Sequence, residues 1–252
     1  MRFLFSDRRS VAAVEFALIA PILLVVFFGI VEIATLYRTE AKLNAMTINI
    51  AQMVAGETNS SATGIVSVSS GGASPAALQI QNVCQGGILG LAPFPPSGMT
   101  VKIASVTLES NSNGLPTTAP VYSTNPTYDM WETDYSVSGS NCNVTSTGSS
   151  ALIGNTGAVN LATTSPPSAT GTSGLNGMLV YPCDNAIIVN TTLTYPGILG
   201  VVMQSRPNLS QWAYTRWVYA SATSELQCSS SDTGCYVNYA AKQTCNSNNT
   251  AN

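Results

Sequence analysis

Three carboxylates crowd the stretch Tyr128–Tyr135, at Asp129, Glu132 and Asp134. Close carboxylates can hold calcium or cleave glycosidic bonds by acid–base work. Their spacing fits no calcium-loop pattern, and one solvated acidic face of a strand accounts for them without a ligand. The sequence has 0 histidines, no GxSxG elbow, no Walker loop and no CxxC pair. A histidine base, a phosphate cradle and a zinc site are therefore not expected, and neither is any cofactor, metal or small-molecule substrate. The chain reads as a non-enzyme, and Asp129 with Asp134 is the pair on which a sugar-cleaving alternative would rest.

Six cysteines, Cys84, Cys142, Cys183, Cys228, Cys235 and Cys245, form the other reactive set. An even number in an exported domain points to disulfides in an oxidising compartment, with 15 possible connectivities. Cys228 with Cys235 is the favoured single pair, because CSSSDTGC can close a tight loop around Gly234.

Two further carboxylates, Glu15 and Glu32, interrupt an apolar run from Val11 to Leu36. About 20 apolar residues in a helix cross a bilayer core of about 30 Å. Phe16 to Val31 carries no charge, no A-x-A site closes the run, and no Gly or Pro follows Leu36 until Gly56. A retained transmembrane helix over 11–36, continuing outside the membrane over 37–56, is expected rather than a discarded signal. Arg2, Arg8 and Arg9 precede the run, so residues 1–10 form a cytoplasmic basic tail and the remainder lies outside. Beyond the span Leu36, Leu43 and Ile50 recur every seventh residue, with Met46 and Met53 offset, a stripe expected to pack on the chain's own domain.

That exported domain should occupy 57–252. After Leu43 it holds four basic residues, Lys102, Arg206, Arg216 and Lys242, against eight acidic ones, which argues against nucleic-acid binding. Ser74 and Pro75 suit the start of a short helix, with Gly86 and Gly87 ending or interrupting it. MTVKIASVTLES alternates as a strand, with Val101 and Ile103 on one face and Lys102 and Ala104 on the other. Tyr128 to Val137 reads as a second strand, NAIIVNTTLTYP as a central one, PGILGVVM as a loop or exposed apolar flap, and LSQWAYTRWVYASATSEL as a final strand. A polar insertion over 138–177, tethered by Cys142, should be flexible. The expected fold is α+β: a long N-terminal transmembrane helix continuing outside the membrane, then a small antiparallel β-sheet domain with a short helix and long polar loops.

The segment RRSVAAVEFALIAPILLVVFFGIVEIATLYRTEAKLNAM resembles the amino-terminal segment of the TadE/TadG-like pilus-assembly proteins of bacterial tight-adherence (Flp-type) systems. The likeness rests on Arg8-Arg9, Ser10, the alanine-rich Val11–Val14 followed by Glu15-Phe16, and Glu32 after Gly29-Ile30-Val31. It implies a pseudopilin-like component of a pilus machine. It also implies cutting by a prepilin peptidase between Ser10 and Val11, although such precursors commonly carry Gly where this chain has Ser10. Glu15, beside Phe16, would then pair with the new terminal amine of a neighbouring subunit, while Glu32 would sit at the outer interface. A carboxylate at the edge of an apolar span calls for a cation on physical grounds as well. The implied setting is the bacterial inner membrane, crossed once with the amino terminus inside and the domain periplasmic or extracellular. The implied partners are other assembly subunits, pilins and the peptidase. The alternative from another class is a membrane-anchored extracytoplasmic adhesin or binding module unrelated to pili.

Overall fold

A computed structural model describes residues 8–56, 65–66, 80–96, 98–108, 127–139, 141–145, 158–159, 185–195, 197, 206–216 and 227–228. Ten elements follow in order. They are α1 (Arg8–Gly56), β1 (Ile65–Val66), α2 (Ile80–Leu89), β2 (Thr100–Leu108), β3 (Thr127–Ser138), β4 (Asn141–Val144), β5 (Ala158–Val159), β6 (Asn185–Thr194), β7 (Asn208–Arg216) and β8 (Gln227–Cys228).

Helix α1 runs unbroken for 49 residues, with Pro21 inside it. Three threonines within it bond carbonyls of the turn behind them. The hydroxyl of Thr35 donates to the Val31 and Glu32 carbonyls, Thr39 to Thr35, and Thr47 to Leu43. The helix changes character at its middle. From Val14 to Ile30 its large apolar side chains are 40–70% exposed, whereas Glu32, Thr39, Leu43, Met46, Thr47, Ile50 and Val54 are at 0–1%. Those buried positions recur at helical spacing, so one stripe faces the domain. Leu43, Ile50 and Met46 lie in the stripe as the sequence predicts, while Met53 stays 38% exposed.

The sheet runs β4-β3-β2-β6-β7, antiparallel throughout, with β5 also pairing β3 and a separate parallel pair formed by β1 and β8. Helix α1 lies against β6 and β7, and α2 packs on α1 and β4. Alternation along the strands supplies the core between them: Val101 and Ile103 of β2, Tyr135 and Val137 of β3, and Ile187 and Val189 of β6 meet Leu43, Met46, Ile50, Ile80 and Ile88. This is the α+β architecture expected.

Several local expectations change. Helix α2 does not end at Gly86 or Gly87 but continues to Leu89. A Cβ built at Gly87 would lie 2.4 Å from Ile50 Cγ1, so this glycine serves close approach of two helices rather than a stop. The polar stretch expected to begin at Ser138 opens with strand β4, joined to β3 through Gly139 at φ 61°. Cys142 is a buried strand residue, and its disulfide to Cys84 fastens the start of that stretch to α2. Glu132 lies at 0% exposure, which overturns a solvated face at that position. The helix start at Ser74 and Pro75, most of PGILGVVM, the final strand beyond Arg216, and Cys183, Cys235 and Cys245 lie outside the described residues.

Candidate functional site: the apolar helix and its seat on the domain

The most distinctive surface is the amino-terminal half of α1. Among the described residues it is the one helix long and apolar enough to cross a membrane. Glu15 lies exposed within this surface, one residue before Phe16, which is 70% exposed. Ser10 and Val11 fall in the first turns of the same helix, so their peptide bond belongs to regular helix backbone. Glu32 lies on the same helix but in a different setting: it is 1% exposed, covered by the domain and engaged within the protein. The two carboxylates thus divide between a bare apolar surface and a protein contact.

The domain is fastened to α1 by a polar seam. Thr35 Oγ1 and the Tyr195 hydroxyl share a hydrogen bond of 2.7 Å at the β6 end. Gln211 Nε2 donates to Glu40 Oε1 at 3.4 Å, and further along Thr47 and Thr191 hydroxyls bond one another in the core. On the other flank Lys42 donates to the Ala92 carbonyl and lies 5.8 Å from the Phe94 ring centre. Each such bond nets about 1 kcal/mol, but together they fix the helix's register against the sheet.

Cys84 of α2 is bonded to Cys142 of β4, a link that joins elements 58 residues apart. Gln81 Nε2 donates to the Cys142 carbonyl at 2.7 Å and supports the same junction. No residue pattern singles out this pair, because the proximity of α2 and β4 depends on the sheet order. Cys228 lies in β8, while Cys235, its expected partner, is outside the described residues.

The acidic residues of β3 occupy separate register positions against β2. Asp134 Oδ2 sits 3.7 Å from Lys102 Nζ on the neighbouring strand, as the register Lys102↔Asp134 requires. Asp129 pairs with Val106 by backbone register, on the far side of a bulge after Ser105. Among the described residues no three His, Cys, Asp or Glu side chains gather as a metal site. On β7, Trp212 and Tyr214 stack at 6.2 Å with planes 9° apart, and burial pushes the Tyr214 phenol above its ordinary value. This stacking runs along one strand.

One long exposed apolar helix carrying an α+β domain suggests a single-pass membrane protein. Residues 11–50 match the family model of TadE-like proteins, which covers the bare half of α1 and most of the seam. The match agrees with the resemblance carried by Arg8 to Glu32 and points to the tight-adherence pilus-assembly system. No curated protein and no solved structure matches the chain.

Proposed function

We propose that the protein is a membrane-anchored minor pilin or pseudopilin-like component for assembly of a tight-adherence pilus, contributing to surface attachment. The observation that carries this reading is the position of the TadE-like match, residues 11–50, on a helix that is bare and apolar, apart from Glu15, over 12–30. From Val11 to Val31, just before the domain contact at Glu32, the helix rises about 31 Å, close to the hydrocarbon thickness of a bilayer. The basic residues Arg2, Arg8 and Arg9 favour an amino terminus on the cytoplasmic side of the inner membrane. The Cys84–Cys142 bond favours an oxidising, extracytoplasmic compartment for the domain.

In this reading prepilin peptidase cuts between Ser10 and Val11, and the amine freed at Val11 meets Glu15 of a neighbouring subunit. Unpaired, that carboxylate costs several kcal/mol near hydrocarbon; paired, it selects the register of helix packing. The partners are pilins and other assembly subunits. Deleting the gene should remove pili while leaving general export intact. Wild-type protein should restore them, and Glu15→Ala, though folded, should restore few or none. Normal piliation in the deletion strain would refute the proposal, and full rescue by Glu15→Ala would refute the pairing.

A further inference from the structure

The two edges of the sheet are finished differently. At one end β4 is 4 residues long, Gln81 Nε2 occupies the Cys142 carbonyl, and α2 packs beside it. At the other end β7 is 9 residues long, and among the described residues β6 is its one strand neighbour. Prolines, lysines, bulges and short length are devices that keep a sheet edge from recruiting another strand. β7 carries none of these, and its register against β6 runs unbroken from Asn208 to Arg216.

The register also identifies which backbone groups β6 leaves unused. The Tyr195 amide donates to the Pro207 carbonyl, so these two residues form a hydrogen-bonded pair, and in an antiparallel ladder every second pair is of that kind. Leu209, Gln211, Ala213 and Thr215 therefore turn their N–H and C=O groups toward β6, while Asn208, Ser210, Trp212 and Tyr214 turn theirs away. Asn208, Ser210 and Trp212 are exposed.

Apolar side chains stand on both sides of this edge. Tyr195 meets Thr35 and Thr191 meets Thr47, so β6 runs back along α1, and β7 runs with the helix. Gln211 bonds Glu40, and Ile33, Tyr37, Asn44 and Ile48 lie at helical spacing on the same ridge as Glu40, all exposed. On the opposite face of β7 stands Trp212, 42% exposed and stacked on Tyr214.

Resting on the reading of α1 as a membrane anchor, we propose that the β7 edge receives an extended strand from a different subunit. That strand continues the ladder through the outward groups of residues 208–214. Its side chains on one face meet Ile33, Tyr37 and Ile48, and those on the other meet Trp212, so it carries apolar residues toward both. A second copy of this chain does not fit. Antiparallel pairing of two β7 edges would set their helices head to tail, which a shared membrane orientation forbids. Parallel pairing about a two-fold axis would place equivalent residues at one level on opposite faces, whereas a parallel ladder needs them on the same face. The β4 edge of a copy is already engaged by Gln81.

The test uses the full chain in its own cells, with the photo-crosslinking amino acid benzoylphenylalanine replacing Trp212 or Tyr37. Both positions should give an adduct with the same other protein, mapped by mass spectrometry to one segment of alternating apolar residues. Ser210→Pro should lower both adducts several-fold while Ser210→Ala leaves them unchanged. The Ser210 N–H points away from β6, so the proline removes no bond of the native ladder. Retention of the Cys84–Cys142 bond checks that the variant folds, and Ile48→Glu, on an exposed helix surface, replaces it otherwise. Absence of adducts, or adducts that neither variant lowers, would overturn the proposal. Adducts joining only two copies of this chain would overturn it in favour of self-association. Variant-sensitive adducts together with normal piliation in the deletion strain would uphold the strand contact and remove the assembly role.

Discussion

At Gly87 the demand for glycine comes from a crossing, not from a turn. Any Cβ there would press on Ile50, which is itself fully buried, so Gly87→Ala should destabilise the domain by about 1–3 kcal/mol. Chemical denaturation checks this; unchanged stability would mean that α1 and α2 can separate freely. Tyr214 offers a pH probe outside the span. Its phenol is held above 10.0 by burial, so the native state binds the proton more tightly than the unfolded chain does. The resulting stabilisation is complete below the ordinary tyrosine value and fades as pH rises through the raised one. Wild type should therefore lose stability above pH of about 10 more steeply than Tyr214→Phe, and identical alkaline profiles would contradict the assignment. Single residues were legible in the sequence where a period exposed them, as with Leu43, Met46 and Ile50. Gly87 and the Cys84–Cys142 pair were not, because each depends on a neighbour far away in the chain.

Among the elements, α1 does two jobs with one continuous backbone. Its first half offers apolar side chains outward in every direction, and its second half offers one stripe to β6 and β7. The sequence shows both halves, since an apolar run broken only by Glu15 and Glu32 gives way to a seven-residue repeat. It does not show where the change falls: the run, interrupted at both carboxylates, extends to Leu36, yet the domain already covers Glu32. Strand β2 was legible by alternation, and β4 was not, since four residues of a polar hairpin carry too little pattern. The junction of α2 with β4 relies on the disulfide. Closing a loop of this length restricts the unfolded chain by about 4 kcal/mol. The double variant Cys84→Ser with Cys142→Ser should accordingly unfold at lower denaturant by about 2–4 kcal/mol. Thermal or denaturant curves indistinguishable from wild type would show that the junction is held without the disulfide, by pairing to β3 and packing on α2.

For the whole molecule, the domain, the seam and the bare helix describe a body joined to one long apolar rod, and the TadE-like match over residues 11–50 points to the tight-adherence pilus-assembly system. The apolar half of α1 gains nothing from the domain, so its burial must come from lipid or from other helices. The most direct check is mass spectrometry of the protein recovered from cells separated into membrane and medium. It should be found in the membrane fraction with the segment 12–31 intact and a first residue at Val11. A product released into the medium and beginning beyond Val31 would contradict both the anchor and the assembly role.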